Sequence, residues 1–400
     1  MAWTRLADLA RDIAGDLPPD LVAAWEDPAA RTPDLARALL EPLAVRGTVV
    51  CSDTAGLSRM ASVLPLAVVL KRIAEPRERI HALGTGLGGR AIGTWVADNS
   101  EMFYPPEVPL EPLVAGMVRI HDSGPVQIGW CAHVGTFYEV GGGLYGPDAD
   151  RVETIAEVHT SGGDSLVTPQ ARAALDPTGF VFHERQAGAF GSVLEVHTDL
   201  PGPAHTGSSR FPIPYDPEMQ ALLHALDEAD PTPVLEAIET RYRAVRTVLL
   251  AQRGAHVPAR SLADTVDGLF RDASFQRIAK AVLAAHTPSW NVSGGLALAA
   301  FEDASVGLDA ARALRSATRD AGLTVSIGID RGDTYVFPMP GGRTELAGDP
   351  VNRASKLAED LGHPGDLLVA GRVVPDGIPG AERVRYSISG IGLEGWRLPG

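Results

Sequence analysis

One order of elements occurs twice in this chain, and that repetition constrains the fold more than any other feature. From Gly47 a strand, GTVVCSD, leads into a long helical segment interrupted near Pro65, SRMASVLPLAVVLKRIAEPRERIHAL. Two short apolar runs, AIGTWVA and EMFYPP, flank Asp98. Then come a helix (LEPLVAGMVRIHDSG), a β-branched and aromatic strand (VQIGWCAHVGTFYEV), a helix ending in glycines (DADRVETIAEVHTSGG) and a last short strand, SLVTP. From Arg246 the order returns as RTVLLAQRG, LADTVDGLFRDASFQRIAKAVLAAH, the hairpin NVSGGLALAAFE, GLDAARALRSATRDAG, TVSIGIDRGDTYVF, VNRASKLAEDLG and LLVAGRV. A recurrence spaced by roughly two hundred residues is a domain-sized repeat. The economical fold is α+β, with two ferredoxin-like βαββαβ domains, each covered by helices on one face and paired inside one chain as a pseudo-symmetric dimer.

The boundaries follow. Residues 1–45 are an N-terminal helical, Pro-punctuated segment; 46–199 and 241–400 are the two domains. Residues 200–240 form a linker that opens on the Pro/Gly/Ser-rich LPGPAHTGSSRFPIPYDPEM and continues through helical stretches, MQALLHALDEA and PVLEAIETRYRAV. At 400 residues the chain is too long for one comfortable core, which agrees with two domains. A formal net charge of −15 argues against nucleic-acid partners and against an anionic membrane surface. The two cysteines, Cys51 and Cys131, lie in apolar runs and suit a reducing compartment. The charged N-terminus does not read as a signal peptide and no run reaches the length of a membrane span, so a cytoplasmic protein is expected. Two domains that pair within the chain are consistent with a monomer.

Asp53 ends the first strand in VVCSDTAGLSR, and Asp98 lies between the hairpin runs in TWVADNSEMF. In a βαββαβ core the first and third strands are neighbours, so the two carboxylates converge. Taken singly, an Asp after a strand is a helix cap and an Asp in a hairpin is a turn residue. Together, with no His or Cys nearby, two hard oxygen ligands favour Mg2+ or Mn2+. The segment after Asp53, Thr54-Ala55-Gly56-Leu57-Ser58, leads into a helix, where exposed N–H groups and the helix dipole bind phosphate. Metal plus phosphate loop is an arrangement for phosphoryl or nucleotidyl transfer.

The stretch GDPVNRASKLAED, Gly348 to Asp360, poses a second question, because Asn352, Arg353 and Lys356 are polar residues in the opening turns of a helix. With VSIGIDRGDTYVF and GHPGDLLVA around it, this stretch resembles the strand, turn, Val-Asn-x-Ala-x-Arg helix and closing strand of the class III nucleotide cyclases, the adenylate and guanylate cyclase family. VVCSDTAGLSRM and TWVADNSEMF resemble that family's two metal motifs more loosely. The resemblance implies one site between the halves. Asp53 and Asp98 of the first half would hold the metal, and Asn352 and Lys356 of the second would orient the ribose and stabilise the phosphate charge, with Lys356 standing where the family has Arg. The first half has Asp150 and Thr154 at the Asn and Arg positions; the second has Gln252 and Gly295 at the metal positions. Each half has lost what the other keeps.

Further positions depart from the family. Asn291 and Glu345 stand at the base-contact positions, Thr136 replaces a phosphate-binding Arg, and Glu394 replaces a Lys near the C-terminus. Arg59, Lys71 and Arg331 are basic residues without an assigned place. The implied reaction converts a nucleoside triphosphate, ATP by default, to a 3′,5′-cyclic nucleotide and pyrophosphate. Two alternatives stand beside it: a catalytically silent nucleotide-binding homologue, and metal-dependent nucleotidyl transfer to another acceptor. His133 is read as a packed, hydrogen-bonded histidine, His256 as a loop residue, Gly84–Arg90 as a flexible turn, RIAEPRERI as a solvated helix face and Trp95 as a packing residue.

Overall fold

The computed structural model describes residues 13, 17–54, 56, 60–61, 63–93, 95, 99–124, 126–160, 163–203, 216–227, 230–254, 258–338, 344–388 and 391–399. Two short helices lead in, α1 (Pro19–Glu26) and α2 (Pro33–Leu40). Thr32 caps α2 by accepting from the Leu35 N–H. The first half follows as β1 (Ala44–Thr54), α3 (Leu66–Gly86), β2 (Arg90–Ala91), β3 (Ser100–Tyr104), α4 (Leu110–Ser123), β4 (Ile128–Val140), β5 (Gly143–Tyr145), α5 (Pro147–Val158), β6 (Ser165–Val167), α6 (Pro169–Ala174), β7 (Phe180–Gln186) and β8 (Ser192–Thr198). The linker carries α7 (Pro217–Ala225) and α8 (Thr232–Tyr242). The second half is β9 (Arg243–Arg253), α9 (Leu262–Ala284), β10 (Trp290–Ser293), β11 (Leu296–Phe301), α10 (Ala304–Asp320), β12 (Val325–Pro338), β13 (Thr344–Ala347), α11 (Asp349–Lys356), β14 (Leu367–Ala370), β15 (Glu382–Ile388) and β16 (Ile391–Arg397).

The two sheets have one topology. Among the described residues each has eight strands, in the orders β2-β3-β1-β4-β6-β8-β7 and β10-β11-β9-β12-β14-β16-β15, with β5 and β13 branching from β4 and β12. β1 is antiparallel to both β3 and β4, and β9 to both β11 and β12, which is the split βαβ arrangement that the repeat implied. The outer hairpins β7–β8 and β15–β16 go beyond the strands SLVTP and LLVAGRV with which the sequence reading ended each half. β7 is mostly exposed, so its apolar alternation is weak in the sequence. The Gly84–Arg90 stretch is more ordered than the turn expected of it. α3 runs to Gly86, where Gly84 lets the helix lie against Met102 and Tyr104, and Gly88 at φ +91 turns the chain into β2.

The halves interlock reciprocally. Tyr335 and Phe337, near the end of β12, are buried in a cluster with Ala67 and Leu70 of α3, Leu113 of α4, and Met219, Ile238 and Tyr242 of the linker helices. Val140, at the end of β4, is buried with Val266, Leu269 and Ala273 of α9 and with Trp25, Leu39 and Leu40 of the N-terminal helices. Each helical prefix therefore lies on the long helix of the opposite half. Trp25 donates its indole N–H to Asp267 Oδ1 at 3.1 Å. On the other side Lys71 pairs with Asp227, and His224 Nε2 is 2.7 Å from Glu78 Oε1.

α11 is seated by a glycine. A β-carbon at Gly328 on β12 would lie 2.0 Å from the Ala354 carbonyl oxygen, so helix and strand meet backbone to backbone there. Ser326 Oγ donates to the Ala358 carbonyl at 2.6 Å, inside the π turn (Leu357–Leu361) that continues α11. Gly328→Ala is expected to push α11 off the sheet and to lower stability by about 1–3 kcal/mol, read as a lower urea midpoint.

Candidate functional site

Asp53 stands one residue from the end of β1, opposite Gly129, on the same sheet face as Val49 and Cys51, which pack towards α5. Gln252 occupies the same place in the second half, opposite Ser326. Burial pushes the Asp53 carboxyl above its ordinary range, against a backbone hydrogen bond at Thr54 and the field of the Lys356 ammonium. Lys356 of the second half thus lies near enough to the Asp53 carboxyl of the first to favour its charged form. Thr54 is buried, and Gly56 turns the chain at φ +77. Asp98, Ala55, Leu57, Ser58 and Arg59 lie outside the described residues. So does His256.

The N-terminus of α11 meets the first half at α3. Gly348 precedes it at φ +139, and the Asn352 N–H donates to the Gly348 carbonyl at 3.2 Å. A β-carbon at Gly348 would lie 3.5 Å from Leu66 Cδ2, on the first residue of α3. The helix bearing Asn352 and Lys356 therefore begins against the helix that follows Asp53. Lys356 Nζ is also 3.0 Å from Asp360 Oδ2. The opening turn is braced by Arg353 on Asp349 at 2.9 Å, and by Arg372, which pairs with the buried Asp330 and with Asp349. Burial raises the Asp330 carboxyl and hydrogen bonds from Arg372 oppose that. The sequence reading missed this brace, although an acid inside the apolar run VSIGID was a signal for it.

Asn291 and Glu345 meet. Asn291 Nδ2 donates to Glu345 Oε2 at 3.3 Å, while Asn291 Oδ1 is enclosed and accepts no hydrogen bond among the described residues. Glu345 is 3% exposed. Asn291 faces the same side of the sheet as Leu298, which packs in one cluster with Leu250 and with Val351 and Ala354 of α11.

The pseudo-symmetric counterpart is built differently. Asp150, which donates its N–H to Gly146 as Asn352 does to Gly348, accepts at Oδ2 from the Ala259 N–H at 2.6 Å. Its carboxylate closes directly on the loop after β9. Arg253, next to Gln252, pairs with Asp272, and its N–H donates to the Gly295 carbonyl at 2.8 Å. Two of the unassigned basic residues are engaged elsewhere: Lys71 with Asp227, and Arg331 with Thr247 Oγ1 at 2.7 Å and the Glu302 carbonyl at 2.8 Å. Glu394 sits on the outer hairpin, paired with Arg383 and Arg385. Thr136 donates its backbone N–H to Asp148. His133 is fully buried between Thr168 Oγ1, 2.8 Å away, and Asp148 Oδ1, 3.1 Å away, and Trp95 packs in the core with its indole N–H on the Glu101 carbonyl.

Asp53 is a hard oxygen donor of the kind Mg2+ and Mn2+ take, and an ion held there would need further oxygen ligands beside it. Among the described residues no group of three or more His, Cys, Asp or Glu could hold a metal. Nor is any described helix long and apolar enough to cross a membrane.

No family model and no curated protein matches the chain. Solved structures similar to it include a class III adenylyl cyclase-like ATP-binding protein from Pseudomonas aeruginosa, at 14% identity over 78% of this chain and 81% of that one, with a TM-score of 0.46. An adenylate/guanylate cyclase/hydrolase from Silicibacter pomeroyi matches at 21% identity over 39% of this chain and 98% of that one, with a TM-score of 0.32. The guanylate cyclase domain of RhGC from Catenaria anguillulae, in complex with GTP, matches at 12% identity over 39% and 96%, with a TM-score of 0.32.

One carboxyl on the inward face gives a pH prediction. Glu101, opposite Cys51 on β3, is pushed from 4.5 to about 8 by burial and by Glu153, against Arg90. The folded state holds this proton more tightly than the unfolded one, so its contribution is fully present below 4.5 and is lost as pH rises towards 8. Glu101→Gln is expected to flatten that slope, by on the order of 1–2 kcal/mol between pH 5 and 8, in urea melts taken across the range.

Proposed function

We propose that the chain binds a nucleoside triphosphate between its halves and closes it to a 3′,5′-cyclic nucleotide. The observation that carries this reading is the split of one site over two halves. Asp53 comes from the first and Asn352 and Lys356 from the second, with the Lys356 ammonium acting on the Asp53 carboxyl, while the counterpart site is closed by Asp150. In the reaction the ribose 3′-oxygen bonds to the α-phosphorus, the bond from that phosphorus to the bridging oxygen breaks, pyrophosphate leaves and the hydroxyl proton is released. A Mg2+ or Mn2+ ion, held by Asp53 and by Asp98, would lower the hydroxyl pKa and neutralise phosphate charge when bound. Asn352 orients the ribose with a fixed donor and acceptor, and Lys356 places positive charge where the crowded phosphate accumulates negative charge.

A second reading, nucleotide binding without turnover, draws on one feature. Lys356 is a point charge shared with Asp360 where a forked guanidinium would clamp, and Lys71 and Arg331 are committed elsewhere. One experiment separates the two: purified protein, Mn2+ and each of the four ribonucleoside triphosphates, with product masses and pyrophosphate release recorded. A cyclic monophosphate from the wild type is expected. Asp53→Ala should lower kcat by about a hundredfold or more, and Asn352→Ala by roughly ten- to a hundredfold. Binding with no pyrophosphate from any triphosphate would sink the cyclase reading in favour of the silent one.

A further inference from the structure

We infer that Arg77 is a positioning residue for the proposed metal site: from inside the core it fixes the connection between β2 and β3, the stretch of chain to which Asp98 belongs. The inference rests on the site reading above and concerns what holds its metal ligands in place. The run RIAEPRERI, expected to be a solvated helix face, instead buries Ile73, Pro76, Arg77 and Ile80 of α3. Arg77 is 1% exposed. Its guanidinium spans two carbonyls, donating from Nε to Ile73 at 3.1 Å and from Nη1 to Trp95 at 3.2 Å. Trp95 is held twice more, by its indole N–H on the Glu101 carbonyl and by a T-shaped contact with His81, 5.8 Å between ring centres. In the sequence Trp95 stands three residues before Asp98.

The second half shows what is particular to Arg77. The burial pattern of α3 returns in α9, with Val266, Leu269, Ala273 and Ala279 in the places of Ala67, Leu70, Ala74 and Ile80. Gln276 then falls in the place of Arg77. It is 2% exposed and donates to the Gly294 carbonyl in the β10–β11 turn at 3.3 Å. Both long helices thus tie the same hairpin by a buried side chain. The half that keeps Asp53 ties it with a charged fork, and the half that has Gln252 ties it with a neutral amide. A guanidinium costs more to bury than an amide, so the first half carries a burden that the shared fold does not require. The hairpins differ in what they need. Gly294 and Gly295 close β10 onto β11 as a tight turn, Gly294 at φ +52, whereas eight residues join Ala91 to Ser100. A long connection sets no geometry of its own, and a metal carboxylate on it must be held to within about 0.5 Å. A planar fork bonded at two points supplies that hold.

The test measures Mn2+ binding to the full chain without nucleotide, from the paramagnetic resonance signal of the free ion. The relevant equivalent is the one that Asp53→Ala removes. Arg77→Gln installs the residue that the second half already accepts, and its urea midpoint is measured alongside. It is expected to weaken that equivalent by about ten- to a hundredfold. Arg77→Lys, which keeps the charge without the fork, is expected between it and the wild type. Gln276→Ala, which loosens the same tie in the other half, is expected to leave Mn2+ affinity unchanged. Arg77→Gln binding Mn2+ as tightly as the wild type overturns the positioning role and leaves the metal site standing. An equal loss in Gln276→Ala also overturns it, by marking a general loosening of the fold. If the wild type shows no Mn2+ equivalent that depends on Asp53, the metal-site reading falls and the assignment falls with it.

Discussion

The two halves are held by the ends of their central strands. β12 runs past its own sheet far enough to bury Tyr335 and Phe337 among the helices of the first half, and β4 does the same with Val140 against α9. A buried aromatic side chain removes about 150–250 Å2 from water, and at roughly 25 cal/mol per Å2 each is worth several kcal/mol before entropy is counted. Tyr335 also donates its hydroxyl to Glu239 of α8, so the insertion is registered by a hydrogen bond as well as by packing. Everything at the site depends on this anchoring. β12 leads through β13 into α11, and the same few residues that plug into the first half bring Gly348 to Leu66.

On that shared frame the halves solve one local problem with different chemistry. The helix after the β4 branch must be tied at its first turn to the strand beneath it. In the first half the tie is Asp148, hydrogen-bonded by the Thr136 N–H and set against His133. Burial pushes the Asp148 carboxyl up, but those hydrogen bonds more than offset it and hold it below its usual range. In the second half the tie is ionic: Arg372 bridges Asp330, which is fully buried, and Asp349. Removing Arg372 would leave a buried carboxylate without its charge partner, the costliest way to break such a pair. In the function proposed above a rigid tie has a use, because α11 carries Asn352 and Lys356.

The repeat, the split βαβ order and the central strands were legible in the sequence because they rest on local periodicity over long apolar runs. VQIGWCAHVGTFYEV and TVSIGIDRGDTYVF are strands in the structure over nearly the lengths the pattern implied. The outer hairpins were not legible: FVFHERQ and ERVRYSI mix charge into short strands whose partners are their own neighbours, leaving little alternation to detect. The reciprocal strapping was also hidden, since Trp25 meets Asp267 across 242 residues and no local pattern encodes that pairing. At the site, Asn352 and Lys356 stood out as polar residues in a helix start, and the structure sets their helix against the first half. The junction of Asn291 with Glu345 needed the sheet to bring β10 beside β13.

The two pseudo-equivalent places between the halves differ at one position. Asp150 and Asn352 are each four residues beyond a glycine of positive φ and donate equivalently to it. From that position the Asp150 carboxylate reaches the Ala259 N–H on the other half, so the chain supplies its own anion to the loop after β9. At the same position α11 carries a neutral amide, Asn352, and one turn further along Lys356, whose ammonium opposes the effect of burial on the Asp53 carboxyl. The exchange of one carboxylate for one amide thus sets two equivalent helix starts of a repeated scaffold apart in charge, and the proposed nucleotide site rests on that difference.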